Sequence, residues 1–149
     1  MIYTRLTMLA MKLCFEKHLH QVDKSGVPYP FHPFHVAEEM TDEYSTCAAL
    51  LHDVMEDTDT TPEELLDRGI PAEVVSALLL LCHQDGVPYM EYVSALCANP
   101  IARKVKIADL HHNMDLTRLE TVTPWDLERL EKYRKALALL EENEAKKVF

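Results

Sequence analysis

The chain has 149 residues, 48% of them hydrophobic, which suits a single domain over residues 1–149 with a core of its own. Its 25 acidic residues against 15 basic ones give a net charge of −10, which argues against nucleic acid or an acidic membrane as partner. No apolar run reaches the ~20 residues of a membrane span, no signal-peptide pattern opens the chain, and three glycines leave little room for Gly-rich phosphate loops, so the expectation is a cytoplasmic protein.

Residues 3–20 predict an amphipathic helix. Leu6, Leu9 and Leu13 make an apolar stripe, and His18 and His20 close it in keeping with the helix dipole. Residues 21–31 form a loop punctuated by Gly26, Pro28 and Pro30. A short helix then runs from His32-Pro33 to about Met40, with Pro33 at the first position, His32 at or just before the cap and His35 one turn in. The next helix runs from Asp42 or Glu43 to Met55. Thr61-Pro62-Glu63-Glu64 predicts a capped helix start, ended after Asp67 by Gly69.

Pro71 opens a helix over residues 72–83 that is apolar all round from Ala77 to Cys82. Residues 88–98 and 100–116 follow as two more helices. Thr123-Pro124-Trp125-Asp126 caps a long last helix to about Asn143, with Leu127, Leu130, Leu137 and Leu140 as its seam and a frayed tail from Glu144 to Phe149. No segment alternates with period two, so the fold class is all-α, with six to eight helices. The cysteines Cys14, Cys47, Cys82 and Cys97 are widely spaced without any CxxC and suit buried thiols in a reducing compartment.

One stretch breaks local rules. The helix over residues 42–55 ends in His52-Asp53-Val54-Met55-Glu56-Asp57, although a helix C-terminus prefers cations. On a continuous helix His52 and Glu56 share a face, as do Asp53 and Asp57, so four polar groups rim one pocket. An ordinary solvated acidic turn explains those residues equally well when taken alone. His32, near a helix start, sits where a neutral imidazole is favoured. Asp109 follows Ile107 and Ala108, and an inward aspartate needs a partner. His32, His52, Asp53 and Asp109 together make a mixed N/O donor set that suits Mn²⁺, Fe²⁺, Co²⁺, Ni²⁺ or Zn²⁺ better than Ca²⁺.

Four stretches carry a family resemblance: Ser25-Gly-Val-Pro-Tyr29 leading into His32-Pro33, Ala48-Ala-Leu-Leu-His52-Asp53-Val54, Glu56-Asp57-Thr58, and Lys106-Ile-Ala-Asp109 followed by Asn113. The chain resembles the HD superfamily of metal-dependent phosphohydrolases, and within it the hydrolase domain of the RelA/SpoT family in its small stand-alone form. That resemblance implies an all-α fold and one metal, usually Mn²⁺, held by His32, His52, Asp53 and Asp109. Glu56 and Asp57 are implied as the acidic pair acting on water and leaving group. Lys24, Ser25, Lys106 and Asn113 are implied at the nucleotide. The implied reaction removes the 3′-pyrophosphate of (p)ppGpp, a small-molecule nucleotide.

Three positions depart from the family pattern by losing a positive charge: Asp23, Leu110 and Asp115. A highly phosphorylated nucleotide would then rely on the metal with Lys24, Lys104, Lys106 and Arg103 or Arg118. Two alternatives follow. One is the same chemistry on another nucleotide or phosphate monoester, including a nicotinamide dinucleotide phosphate. The other is a metal-stabilised binding module without turnover, which would have no need of Glu56 and Asp57.

Overall fold

The computed structural model describes residues 1–146. Its elements are α1 (Arg5–His18), α2 (Phe31–Glu38), α3 (Glu43–Leu51), α4 (Val54–Asp57), α5 (Pro62–Asp67), α6 (Ala72–Leu81), α7 (Tyr89–Leu96), α8 (Pro100–Asn113), a 3₁₀ turn (Leu116–Arg118) and α9 (Pro124–Lys146). α3 and α4 are separated only by the turn at His52-Asp53, so counting them as one interrupted helix leaves eight helices among the described residues, an all-α fold as expected. The one extended pairing among them is a single antiparallel bridge between Val22 and Pro28.

α3 is the hub. Every residue from Ser45 to Leu51 is buried, and the helix packs on α1, α2, α6 and α8. Its Leu50 and Leu51 meet a core that includes Leu13, Leu78, Leu96 and Leu110. Each fully buried leucine contributes roughly 1.5–3 kcal/mol, so this apolar hub fixes where the end of α3 lies. The metal-ligand candidates sit at that end.

Side-chain caps set most helix starts. Thr4 and Thr7 form a reciprocal capping box at α1, Asp42 caps α3 through the Ser45 N–H, Thr61 caps α5 through Glu64 and Asn99 caps α8 through Ala102. Thr123 and Asp126 cap each other at the start of α9. Gly69 ends α5 with a left-handed φ of 100°.

Several boundaries differ from the sequence expectation. α2 starts at Phe31, so His32 lies inside the first turn and Pro33 is the third residue, not the first. The rod begun at Glu43 breaks at Leu51 instead of running on to Met55. α6 stops at Leu81, and its Leu79 is 50% exposed, so it is buried on one broad face and not all round. Leu127 is 54% exposed and lies off the α9 seam, which is anchored by Ala136 and Leu140. α9 stays helical through Lys146, so the expected fraying does not begin at Glu144, and residues 147–149 lie outside the described residues. No helix among the described residues is long and apolar enough to cross a membrane. All four cysteines are free thiols, Cys14 and Cys47 buried, Cys82 and Cys97 only half-buried.

Candidate metal centre and the cleft around it

Three elements converge on one point. α2 supplies His32, the break between α3 and α4 supplies His52 and Asp53, and α8 supplies Asp109. The break matters because Asp53, at φ −103° and ψ 0°, occupies the sparsely allowed bridge region that recurs at active sites. There its carboxylate swings back over His52 and does not follow a helical face. His32 Nε2 lies 2.8 Å from Asp109 Oδ1 and 3.9 Å from Asp53 Oδ2. His52 Nε2 lies 3.0 Å from Asp53 Oδ2 and 3.3 Å from Asp109 Oδ1. His32, His52 and Asp109 are buried and offer ligand atoms within 4.8 Å of one another; Asp53, half-buried, lies outside that trio but, as the fourth member of the expected quartet, brings Oδ2 within 3.9 Å of both imidazoles.

The hydrogen bonds around the quartet orient it. His52 Nδ1 donates to the Ala49 carbonyl at 2.6 Å, which turns Nε2 toward the carboxylates. That Nε2 is buried, yet it is aligned for a hydrogen bond with neither of them. Asp109 Oδ2 accepts from Lys106 Nζ at 2.9 Å, and its Oδ1 accepts from Asn113 Nδ2 at 3.1 Å. The Tyr29 hydroxyl donates to Asp53 Oδ2. His32 Nδ1 meets His112 Nδ1 at 2.5 Å.

Charges are strongly perturbed here. Burial opposes ionisation of Asp53, but the His52 imidazole beside it outweighs burial and holds the carboxyl at about 2. Asp109, opposed by burial in the same way, is held well below the usual carboxylate range by Lys106 and the two histidines. Burial alone would discharge His52, yet Asp53 and Asp109 raise it well above an ordinary histidine. Burial, the neighbouring His32 and Arg118 push His112 down to about 4, so it is neutral. Burial first, and then the Asp53 charge, keep the Tyr29 phenol protonated and therefore a donor.

The acidic pair lies one turn on. Glu56 Oε1 accepts the His83 main-chain N–H at 2.7 Å, and Gln21 Nε2 donates to the Asp57 carbonyl at 3.1 Å. Half-burial, followed by the charges of Asp53 and Glu56, raises Asp57 to about 6. Both acids border a cavity of about 570 Å³ whose floor is the quartet.

All four expected substrate residues line that cavity, each already engaged. Lys24 Nζ pairs with Asp126 at 2.6 Å, Ser25 Oγ donates to the Arg118 carbonyl at 3.0 Å, and Lys106 and Asn113 hold Asp109. Arg118 is on the wall too, 3.7 Å from Asp23. Lys104 and Arg103 are not. Lys104 faces Asp42 at 3.8 Å, and the buried Arg103 reaches Glu144 and the Cys97 carbonyl.

Asp23 has structural work instead: its Oδ1 accepts from the Ser25 and Val27 N–H groups and closes the loop that delivers Tyr29. Leu110 is fully buried in the core. Asp115 caps the 3₁₀ turn through Thr117.

Sequence reasoning missed part of the cleft. α9 contributes Arg129 and Lys132, which lie over the rings of Trp125 and Tyr133, and of Tyr89 and Tyr133, respectively. Arg129 Nε and Tyr89 Oη are buried without a hydrogen-bond partner among the described residues. Partial burial and then the charges of Arg129 and Lys106 lower Lys132, and neither Arg129 nor Lys132 has an ion pair among the described residues. On sequence these residues look like the solvated face of a long helix. His18, expected only to close the first helix in keeping with its dipole, is fully buried, with Nδ1 against Gln21 Oε1 at 2.8 Å and its ring against Tyr29. His112 and Tyr29 had no expected role, although both fall inside stretches that carry the resemblance.

The quartet fits a divalent cation. Two imidazoles each present Nε2 to the same point, two carboxylates face it, and the orphaned Nε2 of His52 is the kind of buried polar atom a ligand-free design would avoid. Hard N/O donors of this number suit a first-row divalent ion and leave coordination positions open.

No protein-family model matches the chain. It is 34% identical over 145 residues to guanosine-3′,5′-bis(diphosphate) 3′-pyrophosphohydrolase MESH1 of Danio rerio, covering 87% of this chain and 79% of that protein. The Homo sapiens protein of that name is 34% identical over 131 residues, covering 78% of this chain and 72% of the relative. A protein described as guanosine-3′,5′-bis(diphosphate) 3′-pyrophosphohydrolase from Aquifex aeolicus is 46% identical over 63 residues, 40% of this chain but only 9% of that much longer protein. Among solved structures, a metazoan ortholog of SpoT that hydrolyses ppGpp superposes with a TM-score of 0.73 at 26% identity, over 96% of this chain and 87% of that one.

Proposed function

Because the chain belongs to the RelA/SpoT-type guanosine-3′,5′-bis(diphosphate) 3′-pyrophosphohydrolases of the HD superfamily, we propose that it removes the 3′-pyrophosphate of (p)ppGpp with one divalent metal, Mn²⁺ by preference. The observation that carries the reading is the convergence of His32, His52, Asp53 and Asp109 on one point beneath a cleft bordered by Glu56 and Asp57.

When bound, the metal supplies Lewis-acid activation of water and compensates phosphate charge. His32, His52, Asp53 and Asp109 hold it. Asp57, raised to about 6, takes the proton from the attacking water. The water oxygen bonds to the phosphorus attached to O3′, the O3′–P bond breaks, and O3′ takes up a proton as pyrophosphate and GDP or GTP separate. Glu56, fixed by the His83 N–H, orients the water beside Asp57. Lys24, Ser25, Asn113 and Lys106 border the nucleotide, and Arg129 and Lys132 face its remaining phosphates.

A second reading keeps the chemistry on a less charged nucleotide or phosphate monoester. It is favoured by two acids that engage rim cations, Asp126 on Lys24 and Asp23 on Arg118. One experiment separates the two: pyrophosphate release from ppGpp by the purified protein, with Mn²⁺ and with chelator, beside Asp53→Ala. Metal-dependent turnover lost in the variant is expected. A protein that binds Mn²⁺ and leaves ppGpp intact would move the function to the second reading.

A further inference from the structure

We propose that His112 is the positioning residue that holds His32 in the protonation form a metal ligand requires. This rests on the reading of His32 as a ligand. Its Nδ1 lies 2.5 Å from His112 Nδ1, and two nitrogens that close need one proton between them, with one ring donating and the other accepting. The ring planes are only 20° apart with centroids at 4.7 Å. With the nitrogens touching, the rings therefore lie largely edge to edge near a common plane, the geometry of an in-plane N–H···N hydrogen bond and not of face-to-face stacking.

The direction of that bond decides what Nε2 can do. With the proton on His32 Nδ1 and donated to His112, an arriving cation meets the His32 Nε2 lone pair; without a cation, Nε2 donates to Asp109 Oδ1 at 2.8 Å, and that is the proton the cation displaces. With the proton donated the other way, a neutral His32 would carry its remaining proton on Nε2, in the middle of the metal site. Ligating histidines ordinarily give their second N–H to a carboxylate, a carbonyl or water. Here the acceptor is another imidazole, and His112 is the hydrogen-bond partner found for His32 Nδ1 among the described residues.

His112 is itself braced. His35 covers its ring at 4.2 Å, and Arg118 Nη1 and the Asp115 N–H both donate to its carbonyl. It also lies three residues after Asp109 on α8, so one helical turn carries both a metal ligand and the support of another.

Two variants separate positioning from packing. His112→Phe keeps a flat ring against His35 and removes the acceptor. His112→Asn returns an oxygen to the place of Nδ1. In ¹⁵N-edited NMR of the metal-free wild type, the His32 Nδ1–H should appear as a slowly exchanging proton. It should disappear in His112→Phe and return in His112→Asn. Titration with Mn²⁺ alone should give an affinity about 10–100-fold weaker for His112→Phe, recovered in large part by His112→Asn. A wild-type spectrum without a protected His32 Nδ1–H, or a His112→Phe protein that keeps both the proton and wild-type Mn²⁺ affinity, would overturn the proposal. A wild type that binds no Mn²⁺ would reject the metal-dependent function above, while the NMR result would still decide what His112 does to His32.

Discussion

Asp53 and Asp57 lie one helical turn apart and at opposite ends of the carboxylate range, about 2 and about 6. Separation of this kind assigns roles: the low group stays ionised and holds charge, and the high one exchanges protons near neutrality. If Asp57 is the base, only its carboxylate works, so kcat/KM on ppGpp should rise with pH through its pKa and flatten above it. A cation at the quartet offsets the Asp53 charge that helps to raise Asp57, so the acid limb should lie at or just below pH 6. Asp57→Asn should lower kcat by about 10²–10⁴-fold and erase that limb. A variant that keeps the limb would give the proton to another group. Lys132 offers a different split. Its ammonium has no ion pair among the described residues and borders the cleft over the Tyr89 and Tyr133 rings. Lys132→Ala should therefore raise KM several-fold with kcat nearly unchanged, because the contact is equal in ground and transition states.

At the scale of the element, starts were easier to read than ends. Thr61, the Pro100 start and Thr123 are visible in sequence because a cap is a local event between residues three apart. The break at His52-Asp53 was not, because no Gly or Pro marks it. The run Ala48–Leu51 is anchored by core contacts with distant helices, and the chain after it is bent by the quartet and by Tyr29. The same limit explains the departures from the family pattern. Asp23 read as a lost cation, but it closes a loop. Leu110 read as another, but it is fully buried on the inner face of α8. Leu110→Arg should therefore add no contact to a nucleotide. It should bury an uncompensated charge and destabilise the fold on the order of 3–5 kcal/mol, measured by urea unfolding. Stability within 1 kcal/mol of the wild type would show that α8 can rotate that position toward solvent.

The molecule as a whole carries its clearest sequence signal where residues far apart in the chain must meet, since His32, His52, Asp53 and Asp109 are spread over most of its length and still fall in matched stretches. It carries the weakest signal on α9, whose cations follow the last of those stretches and look like any charged helix surface. The quartet also has a mechanical consequence. It ties α2, the α3–α4 break and α8 at one point, so a cation that binds only the folded chain should stabilise it by RT ln(1 + [L]/Kd), about 2.7 kcal/mol at a hundredfold excess over Kd. For a chain of this size that corresponds to a rise in Tm of roughly 5–10 °C. The shift should grow with pH. Asp53 and Asp109 hold a proton on His52 well above the ordinary histidine range, and a cation must displace it, so acid weakens binding and base strengthens it. Asp53→Ala should flatten both dependences. Thermal unfolding with Mn²⁺ and with chelator at pH 6 and pH 8 checks this, and equal Tm values under all four conditions would mean that the three helices are held together without a metal.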